Sequence, residues 1–301
     1  MVWIHGGGFL MGSAPEYPSN PISSNLVDRG IIVVTIQYRL NVFGFASTGD
    51  SDVKGNMGLW DMIEALKWVK ENVQSFGGNP QKITIAGESA GSGATSILSY
   101  APPAQNYFHQ VISQSGSIFA DWVLGDKSVQ NFKDLALELG CDVSSSQNQV
   151  DCLQEKPTDL LLATAKTILS MQGLIYCNKG PWTSMAQFLP WHPIVDGELI
   201  LGNPLDLSPP FPLKPTLLGF NTDEASLIFG RYPLFRGMMG PENCQYDAES
   251  TDLKEWERLV ISSFPNSSPD TVTRDASNVY VEDSNAQNRS DNPFFTASMN
   301  V

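Results

Sequence analysis

The chain has 301 residues, of which 42% are hydrophobic and 10% aromatic, so it is long enough to bury a large core as one domain. Its formal net charge is −14, which argues against nucleic acid or an anionic membrane surface as a partner. No apolar run reaches the length of a membrane span, and the sequence contains neither heptads nor internal repeats.

The first residues form an apolar strand end that runs into a glycine loop. Residues 1–4 are Met-Val-Trp-Ile, and residues 5–9 are His-Gly-Gly-Gly-Phe. Glycines let a backbone approach a ligand closely with its N–H groups pointing inward, as the stabilisation of an oxyanion requires. A glycine-rich turn without a ligand is the alternative. The N-terminus also lacks the basic region and the cleavage site of a signal peptide.

Two periodic segments follow this loop. Residues 30–36 are a continuous β-branched run, which is typical of a strand buried on both faces of a parallel sheet. Residues 59–76 have apolar side chains at helical spacing and predict a helix with one apolar face. The residues of that face are Leu59, Met62, Ile63, Leu66, Val69, Val73 and Phe76.

Residues 87–91 are the most informative stretch of the chain. They read Gly-Glu-Ser-Ala-Gly, with a strand pattern at 83–86 before them and residues able to open a helix at 93–98 after them. A sharp turn from strand to helix lifts a serine hydroxyl above a sheet, and a Cβ at either flanking glycine would crowd so tight a turn. The pattern therefore predicts Ser89 as a nucleophile, with the N–H of Ala90 as a donor to an oxyanion.

The remaining pattern alternates strands with helices, which predicts a mostly parallel α/β sheet. A helical excursion near 118–192 interrupts the alternation. The predicted elements are strands at 110–113 and 216–220, helices at 129–139, 158–170 and 253–264, a proline-rich connector at 202–215 and a polar tail from residue 284.

The chain resembles the type-B carboxylesterase and cholinesterase family. Besides the two glycine motifs, the blocks that resemble the family lie at 55–61, 76–80, 114–117, 193–197 and 219–224. The resemblance implies an α/β-hydrolase fold, in which a mostly parallel sheet has helices on both faces and the helical excursion covers the active-site face. It also implies a single carboxylesterase domain over residues 1–301.

The resemblance implies a serine esterase, which hydrolyses a small-molecule carboxylic ester through an acyl-enzyme. No cofactor and no metal are implied. Ser89 would be the nucleophile, and the N–H groups of Gly7, Gly8 and Ala90 would form the oxyanion hole. Glu224 would be the acid that orients a catalytic histidine.

The acid has two competitors, and the histidine is absent from the place where the resemblance puts it. Asp223 is the local alternative to Glu224, and Asp196 is a distant one. The family's histidine follows the acid, whereas the histidines of this chain, at positions 5, 109 and 192, all precede Glu224. Position 5 belongs to the glycine loop, and position 109 opens a strand at the end opposite the predicted site.

The family also places sheet strands ahead of its oxyanion loop, which here begins at residue 5. We therefore expect a chain that is partial at both ends, lacking the N-terminal strands and the region of the catalytic histidine. Since a serine needs a base to become nucleophilic, we expect little ester hydrolysis from this chain by itself.

The resemblance places Trp122 and Leu189 at the acyl side of the substrate pocket. Ordinary core burial is the alternative for Trp122. Gln187 and Leu189 stand where acetylcholinesterases narrow this pocket with phenylalanines, which implies a roomier pocket. Residues 225–228 offer no aromatic ring to a quaternary ammonium, which argues against choline esters.

Two cysteines lie in the helical excursion, within a polar loop. Cys141 and Cys152 are separated by ten residues, and in the resembling family a pair at this place forms a disulfide. Two reduced surface cysteines are the alternative. A pairing of Cys177 with Cys244 stays open.

Two sequons, beginning at Asn266 and Asn288, fit the acceptor pattern for N-glycosylation, although such short patterns also occur by chance. Together with the cysteines, the resemblance implies a glycoprotein that is secreted or resides in the lumen of the endoplasmic reticulum.

Two other functions compete with ester hydrolysis. A non-catalytic adhesion protein of the neuroligin type typically loses the nucleophile or its neighbours, whereas Ser89 and both glycine motifs are intact here. The second is a catalytically inactive esterase fragment that acts as a binding module. The absence of a histidine after Glu224 keeps this alternative open for the chain by itself.

Overall fold

The computed structural model describes residues 1–120, 122–177, 189–206, 211–221 and 224. Met1–Ile168 and Leu189–Gly219 form one compact unit, and the other described residues belong to a second. The predicted helix at 253–264, the polar tail, Cys244 and both glycosylation sequons lie outside the described residues.

The first unit is built on a five-stranded sheet. Its strands are β1 (Val2–Ile4), β2 (Val34–Thr35), β3 (Thr84–Glu88), β4 (Gln110–Gln114) and β5 (Thr216–Gly219). They are ordered β2-β1-β3-β4-β5, and all pairings between them are parallel, which confirms the predicted sheet. Ile4 lies opposite Gly87, which lies opposite Ser113, so the carboxyl ends of the three central strands meet at one edge.

Helices connect and cover these strands. The described α-helices are α1 (Ser19–Asn25), α2 (Asn41–Phe45), α3 (Met57–Asn72), α4 (Ala90–Tyr100), α5 (Lys127–Glu138), α6 (Ser146–Gln154) and α7 (Thr158–Cys177). Within the part of the chain that the structure describes, we find no helix with both the length and the apolar character that a membrane crossing needs.

Helix α3 confirms the helix that the apolar spacing predicts. It buries six residues, among them Leu59 and Leu66, and burying each large aliphatic side chain contributes about 1.5–3 kcal/mol. Phe76 does not belong to this face, since it is 66% exposed. The reason is that Val73–Phe76 form a 3-10 turn, whose period of three residues departs from the helical period on which the prediction relied.

Strand β2 is shorter and less buried than the run at 30–36 predicts. Only Val34 and Thr35 pair with β1, both are half-buried, and Ile31 is 38% exposed. The prediction of a strand buried on both faces is therefore wrong. β2 is the outermost strand of the described sheet, and its one partner there is only three residues long, so few of these residues can pair.

The predicted helical excursion contains α5, α6 and α7, and the predicted disulfide is confirmed. The Sγ atoms of Cys141 and Cys152 are 2.04 Å apart, and their Cα atoms are 5.8 Å apart. The segment between them is not the plain polar loop of the prediction, because most of α6 lies within it. Ser145 caps α6 by accepting a hydrogen bond from the N–H of Asn148 at 3.1 Å, which satisfies one of the free donors of the first turn.

The core that supports the carboxyl edge lies between α4 and the sheet. α4 packs against β1, β3 and β4. Ile97 and Leu98 on this helix have no exposed surface, and neither have Ile4 and Ile85 on the strands. This packing holds the β3–α4 junction, where the predicted nucleophile lies, against the end of β1.

Candidate active site

Ser89 occupies the junction between β3 and α4 in a strained conformation. Its φ is 54° and its ψ is −121°, a region that side chains with a Cβ rarely adopt and that costs about 1–3 kcal/mol. Its N–H donates to the carbonyl of Gln114 on β4, and its carbonyl accepts from the N–H of Gly93, both at 2.9 Å. These two bonds hold the serine at the turn that the Gly-x-Ser-x-Gly pattern predicts.

The flanking glycines are a steric requirement, as predicted. A Cβ on Gly87 would lie 2.4 Å from the backbone carbon of Gly91, and a Cβ on Gly91 would lie 2.0 Å from the carbonyl oxygen of Ile4. Gly116, after β4, is equally constrained, because its Cβ would lie 2.4 Å from the carbonyl oxygen of Ser89. The turn is therefore closely enclosed by backbone from the ends of β1 and β4.

The glycine loop after β1 passes beside this turn. A Cβ on Gly6 would lie 3.1 Å from the Cβ of Ser89 and 2.9 Å from Oε2 of Glu88. Gly7 and Gly8 have φ values of 109° and 62°, and Phe9 has 61°, so three successive residues adopt left-handed conformations. The structure thus brings the two glycine motifs of the sequence together.

The loop leaves its N–H groups available for a ligand. The N–H groups of Leu10 and Met11 both donate to the carbonyl of Gly7, at 3.0 and 3.1 Å, which closes the loop behind its glycines. By contrast, the N–H groups of Gly7, Gly8 and Ala90 donate to no acceptor within the described ranges. Three free donors around a serine are the arrangement that an oxyanion hole needs.

Leu189 lies against the glycine loop. A Cβ on Gly8 would lie 3.0 Å from Cδ2 of Leu189, so this side chain borders the predicted oxyanion donors. The segment that begins at Leu189 is held by α5: the Asn131 side chain donates to the carbonyl of Pro190 at 2.6 Å, and the Ser128 hydroxyl donates to the carbonyl of His192 at 3.0 Å.

Trp122 is half-buried and packs against the core. Its neighbour Val123 is fully buried and lies against α4, since a Cβ on Gly93 would lie 2.8 Å from Cγ2 of Val123. A half-buried Trp122 fits both the predicted role, lining the acyl side of the pocket, and the alternative of core packing.

None of the chain's histidines is hydrogen-bonded to Ser89 in the described structure. His5 is buried, its ring is stacked on Tyr38 with centroids 4.4 Å apart, and its Nδ1 lies 2.9 Å from the carbonyl oxygen of Gly6. Its environment is that of a structural residue, as the sequence predicts.

The rings of the other two histidines make contacts away from Ser89. His109 precedes β4 at the end of the sheet opposite Ser89, as expected, and its Nδ1 accepts from the N–H of Ile83 at 3.3 Å. His192 is buried, and this burial lowers the pKa of its ring below the usual value. Its Nδ1 lies 3.2 Å from the carbonyl oxygen of Pro193.

The carboxylates proposed as the acid differ in their surroundings. Glu224, in the second unit, follows β5 in the chain, and its Oε1 accepts hydrogen bonds from the N–H and the side-chain amide of Asn221 at 2.8 and 3.2 Å. Asp223 lies outside the described residues.

Both carboxylate oxygens of Asp196 accept hydrogen bonds within a loop. Its Oδ1 accepts from three backbone N–H groups, those of residues 198, 199 and 200, at 2.9 to 3.0 Å. Its Oδ2 accepts from the side-chain amide of Asn56 at 2.8 Å. A carboxylate with this many fixed donors is suited to closing a turn, and the alternative that Asp196 orients a histidine has no support from these contacts.

Tyr38 is a residue of this region that the sequence motifs do not single out. Its hydroxyl donates to the carbonyl of His5 at 2.8 Å, at the start of the glycine loop. The available signal was its position: it closely follows the predicted strand at 30–36, and the carboxyl ends of parallel strands share one edge of the sheet with the site.

A parallel sheet with a strained serine at a strand-to-helix turn, beside a glycine loop, defines the α/β-hydrolase class. The sequence model of the carboxylesterase family matches residues 1–299, and the chain belongs to this family, as the resemblance predicts. This membership settles the fold class of the chain.

Several relatives agree with this membership. Gut esterase 1 of Caenorhabditis elegans is 33% identical over 287 residues, which cover 94% of this chain and 48% of the relative. Carboxylesterase 1D of Rattus norvegicus is 37% identical over 268 residues, covering 87% and 45%. Liver carboxylesterase of Sus scrofa is 34% identical over 270 residues, covering 88% and 45%. The chain thus spans about half the length of these relatives.

Proposed function

We propose that the protein hydrolyses carboxylic esters of small molecules through an acyl-enzyme on Ser89. The observation that best supports this proposal is the juxtaposition of the strained serine with the Gly6–Gly8 loop, in which the N–H groups of Gly7 and Gly8, with that of Ala90, have no acceptor in the described structure. The family membership and the names of the relatives support the same chemistry.

The proposed reaction has two halves. Oγ of Ser89 forms a bond to the ester carbonyl carbon and gives its proton to an imidazole, while the carbonyl oxygen becomes an oxyanion held by Gly7, Gly8 and Ala90. The C–O bond to the alcohol breaks, and the alcohol leaves with the proton from the imidazolium. Water then repeats the sequence on the acyl-enzyme and releases the acid. Each oxyanion donor contributes about 3 kcal/mol to the stability of the transition state.

Glu224 is the proposed acid, since it is the last residue of the block 219–224, which starts at the end of β5 and carries the family resemblance. Its role would be to orient the imidazole and stabilise the imidazolium. The contacts of the chain's histidines assign this imidazole to none of them, so residues 1–301 by themselves would retain only the catalysis of the oxyanion hole and binding. Loss of the base costs on the order of 10⁴–10⁶ in turnover in related mechanisms.

Trp122 and Leu189 are proposed to line the acyl side of the pocket. The contact between Leu189 and Gly8 supports this for Leu189, because an acyl group attached to Ser89 with its oxygen at the oxyanion donors would lie next to Gly8. Leucine leaves more room than phenylalanine, which favours larger acyl groups.

We further propose that residues 1–301 form one carboxylesterase domain and that the protein is a glycoprotein of the secretory pathway, modified at Asn266 and Asn288. The disulfide between Cys141 and Cys152 supports the location, because disulfides persist in the secreted space and the lumen of the endoplasmic reticulum.

Hydrolysis of a p-nitrophenyl ester by the purified chain, with and without imidazole in solution, tests the proposed function. Imidazole has the chemistry of the proposed base, which none of the described histidines supplies to Ser89 by a hydrogen bond. We expect a rate that rises with imidazole in the wild-type chain and in the surface control Ser24→Ala, beyond the uncatalysed reaction with imidazole. Ser89→Ala should abolish this difference. Equal rates in the wild-type chain and Ser89→Ala would refute the proposal.

A further inference from the structure

A short segment of chain makes hydrogen bonds to the glycine loop on both sides of its oxyanion donors. This segment, residues 37–41, follows β2 and is here called the clamp. The clamp contacts the glycine loop at its first and last residues. The Tyr38 hydroxyl donates to the carbonyl of His5 at 2.8 Å, and the N–H of Asn41 donates to the carbonyl of Phe9 at 2.7 Å. The oxyanion donors Gly7 and Gly8 lie between these two anchors.

The loop needs such anchors because its own bonds do not fix its position. Within the loop, the carbonyl of Gly7 accepts from Leu10 and Met11, which defines its shape. Of the three successive residues with positive φ, Gly7 and Gly8 adopt it without strain, whereas Phe9 does not, and strain of this kind persists only where the surroundings hold it.

The surroundings of Tyr38 keep its hydroxyl protonated, so that it remains a hydrogen-bond donor. It is 7% exposed, and its ring is stacked on His5 with an interplanar angle of 22°. Burial raises the pKa of the Tyr38 phenol well above its usual range, and the neighbouring Tyr17 adds to this effect. The hydroxyl therefore keeps its proton, and remains a donor, to a higher pH than an exposed tyrosine would.

The clamp is in turn fixed to α3. Nη2 and Nε of Arg39 lie 2.7 and 2.8 Å from the two oxygens of Asp61, and the N–H of Arg39 donates to the same carboxylate at 2.9 Å. An exposed ion pair adds little stability by itself, but a bidentate pair defines a geometry. The carbonyl of Arg39 also abuts Gly44 and Gly58, where a Cβ would lie 2.0 and 2.5 Å from it.

We propose that Tyr38 is a positioning residue for the oxyanion hole: its hydrogen bond to His5 sets the place of the Gly7 and Gly8 donors, and the Arg39–Asp61 pair ties this bond to helix α3. The proposal rests on the proposed function, since it assigns Tyr38 to the ester-hydrolysing site. Tyr38 acts through the loop and has no contact with substrate in this assignment.

The variant Tyr38→Phe removes only the hydroxyl and retains the ring that stacks on His5. We expect the Ser89-dependent rate in the presence of imidazole to fall by about 10-fold or more with little change in KM, because a misplacement of about 1 Å can cost about 10²-fold. Tyr107→Phe, which removes a hydroxyl before β4 at the opposite edge of the sheet, should leave the rate unchanged.

A comparison of an ester with its thiono analogue distinguishes positioning from a general loss of structure. Sulfur accepts hydrogen bonds weakly, so an intact oxyanion hole favours the oxygen ester. Tyr38→Phe should reduce the ratio of kcat/KM for the oxygen ester to that for the thiono ester, whereas general destabilisation would lower both rates together. An unchanged ratio would overturn the proposal.

Hydrogen exchange tests the clamp without any hydrolysis. In Tyr38→Phe the hydrogen-bonded amides of Leu10, Met11 and Asn41 should exchange faster than in the wild-type chain, while amides of α4 should not change. Faster exchange in a chain without Ser89-dependent hydrolysis would support the clamp and refute the proposed function. Unchanged exchange would refute the clamp. If Tyr38→Phe fails to fold, Asp61→Ala provides the same comparison with a smaller expected effect.

Discussion

Gly6 and Ser89 are in such close contact that a single added carbon would separate them: a Cβ on Gly6 would lie 3.1 Å from the Cβ of Ser89. The same Cβ would lie 2.8 Å from the carbonyl oxygen of Glu88, which belongs to β3 and cannot move away. The glycine loop and the serine turn are therefore one geometric unit, although the two residues are separated by 83 positions.

The variant Gly6→Ala should displace the loop and reduce the Ser89-dependent ester hydrolysis in imidazole by about 10²-fold, because the oxyanion donors would move out of reach. The rate is measured with a p-nitrophenyl ester. Gly77→Ala is the matched control: no atom lies within 4 Å of its Cβ, but its φ of 81° disfavours alanine. It should lower the free energy of unfolding by about 1 kcal/mol without changing the rate. A Gly6→Ala chain with the wild-type rate would contradict this account.

The two carboxylates proposed as the acid should respond differently to loss of charge. Glu224→Gln should lower the Ser89-dependent rate and leave the unfolding transition in place. Its effect should be smaller than the roughly 10⁴-fold seen when the acid of an intact triad is neutralised, since dissolved imidazole is not held in one orientation. Rates and urea unfolding curves measure the two effects.

Asp196→Asn should show the opposite pattern. One oxygen of Asp196 accepts three backbone hydrogen bonds, and hydrogen bonds to a charged group contribute about 1.5–3 kcal/mol each. The midpoint of urea unfolding should fall markedly, with the rate of the folded fraction preserved. A selective loss of rate in Asp196→Asn would identify it, and not Glu224, as the acid.

Removal of the disulfide should lower stability and leave the site intact. Cys141 and Cys152 close a loop with a sequence separation of 11, for which chain entropy predicts about 2–3 kcal/mol. The double variant with serine at both positions should lose this amount in urea unfolding. Ser145→Ala, which removes only the cap of α6, should lose about 1 kcal/mol. A double variant as stable as the wild-type chain would show that α6 is held by its packing alone.

The pH dependence of stability should reflect His192. Burial lowers the pKa of its ring below the ordinary value of 6.5, so the folded chain stays neutral at this position while the unfolded chain takes up a proton. Lys127 lowers this pKa further, whereas the carbonyl of Pro193 and Asp126 raise it. The stabilising contribution is complete above pH 6.5 and is lost as the pH falls below it, by up to about 1.4 kcal/mol per pH unit.

His192→Gln should weaken this acid dependence in unfolding curves recorded at several pH values. The Ser128 hydroxyl bonds to the backbone N–H and carbonyl of His192 and not to its ring, so the variant should fold. His109→Gln is the comparison, because burial also lowers its pKa but the residue is only half-buried. It should have the smaller effect, and the reverse order would contradict the assignment.

The serine turn and the glycine loop could be predicted from the sequence because their requirements are local. The turn at Ser89 requires a glycine on each side, and both glycines lie within two residues of the serine. Their spacing in the sequence therefore predicts the turn. The parallel sheet follows from alternating strands and helices. The extent of β2 could not be predicted, since a β-branched run shows the preference for a strand but not how many of its residues find a partner.

Other features depend on contacts between distant residues. Tyr38 and His5 are separated by 33 positions, and the pairing of β1 with β2 brings them together. α6 is composed mostly of polar residues, and its cap and the adjoining disulfide stabilise it, so its sequence reads as a loop. Phe76 fits the helical spacing, but the chain changes to a 3-10 turn before it.

The proposed covalent acyl-enzyme on Ser89 can be detected in the mass of the intact chain after reaction with a p-nitrophenyl ester in imidazole. The good leaving group makes acylation faster than release, so the adduct should accumulate. We predict one added acyl group, located at Ser89 by peptide mapping, absent in Ser89→Ala and reduced in Gly6→Ala. An unmodified chain, or an acyl group that persists in Ser89→Ala, would contradict the account.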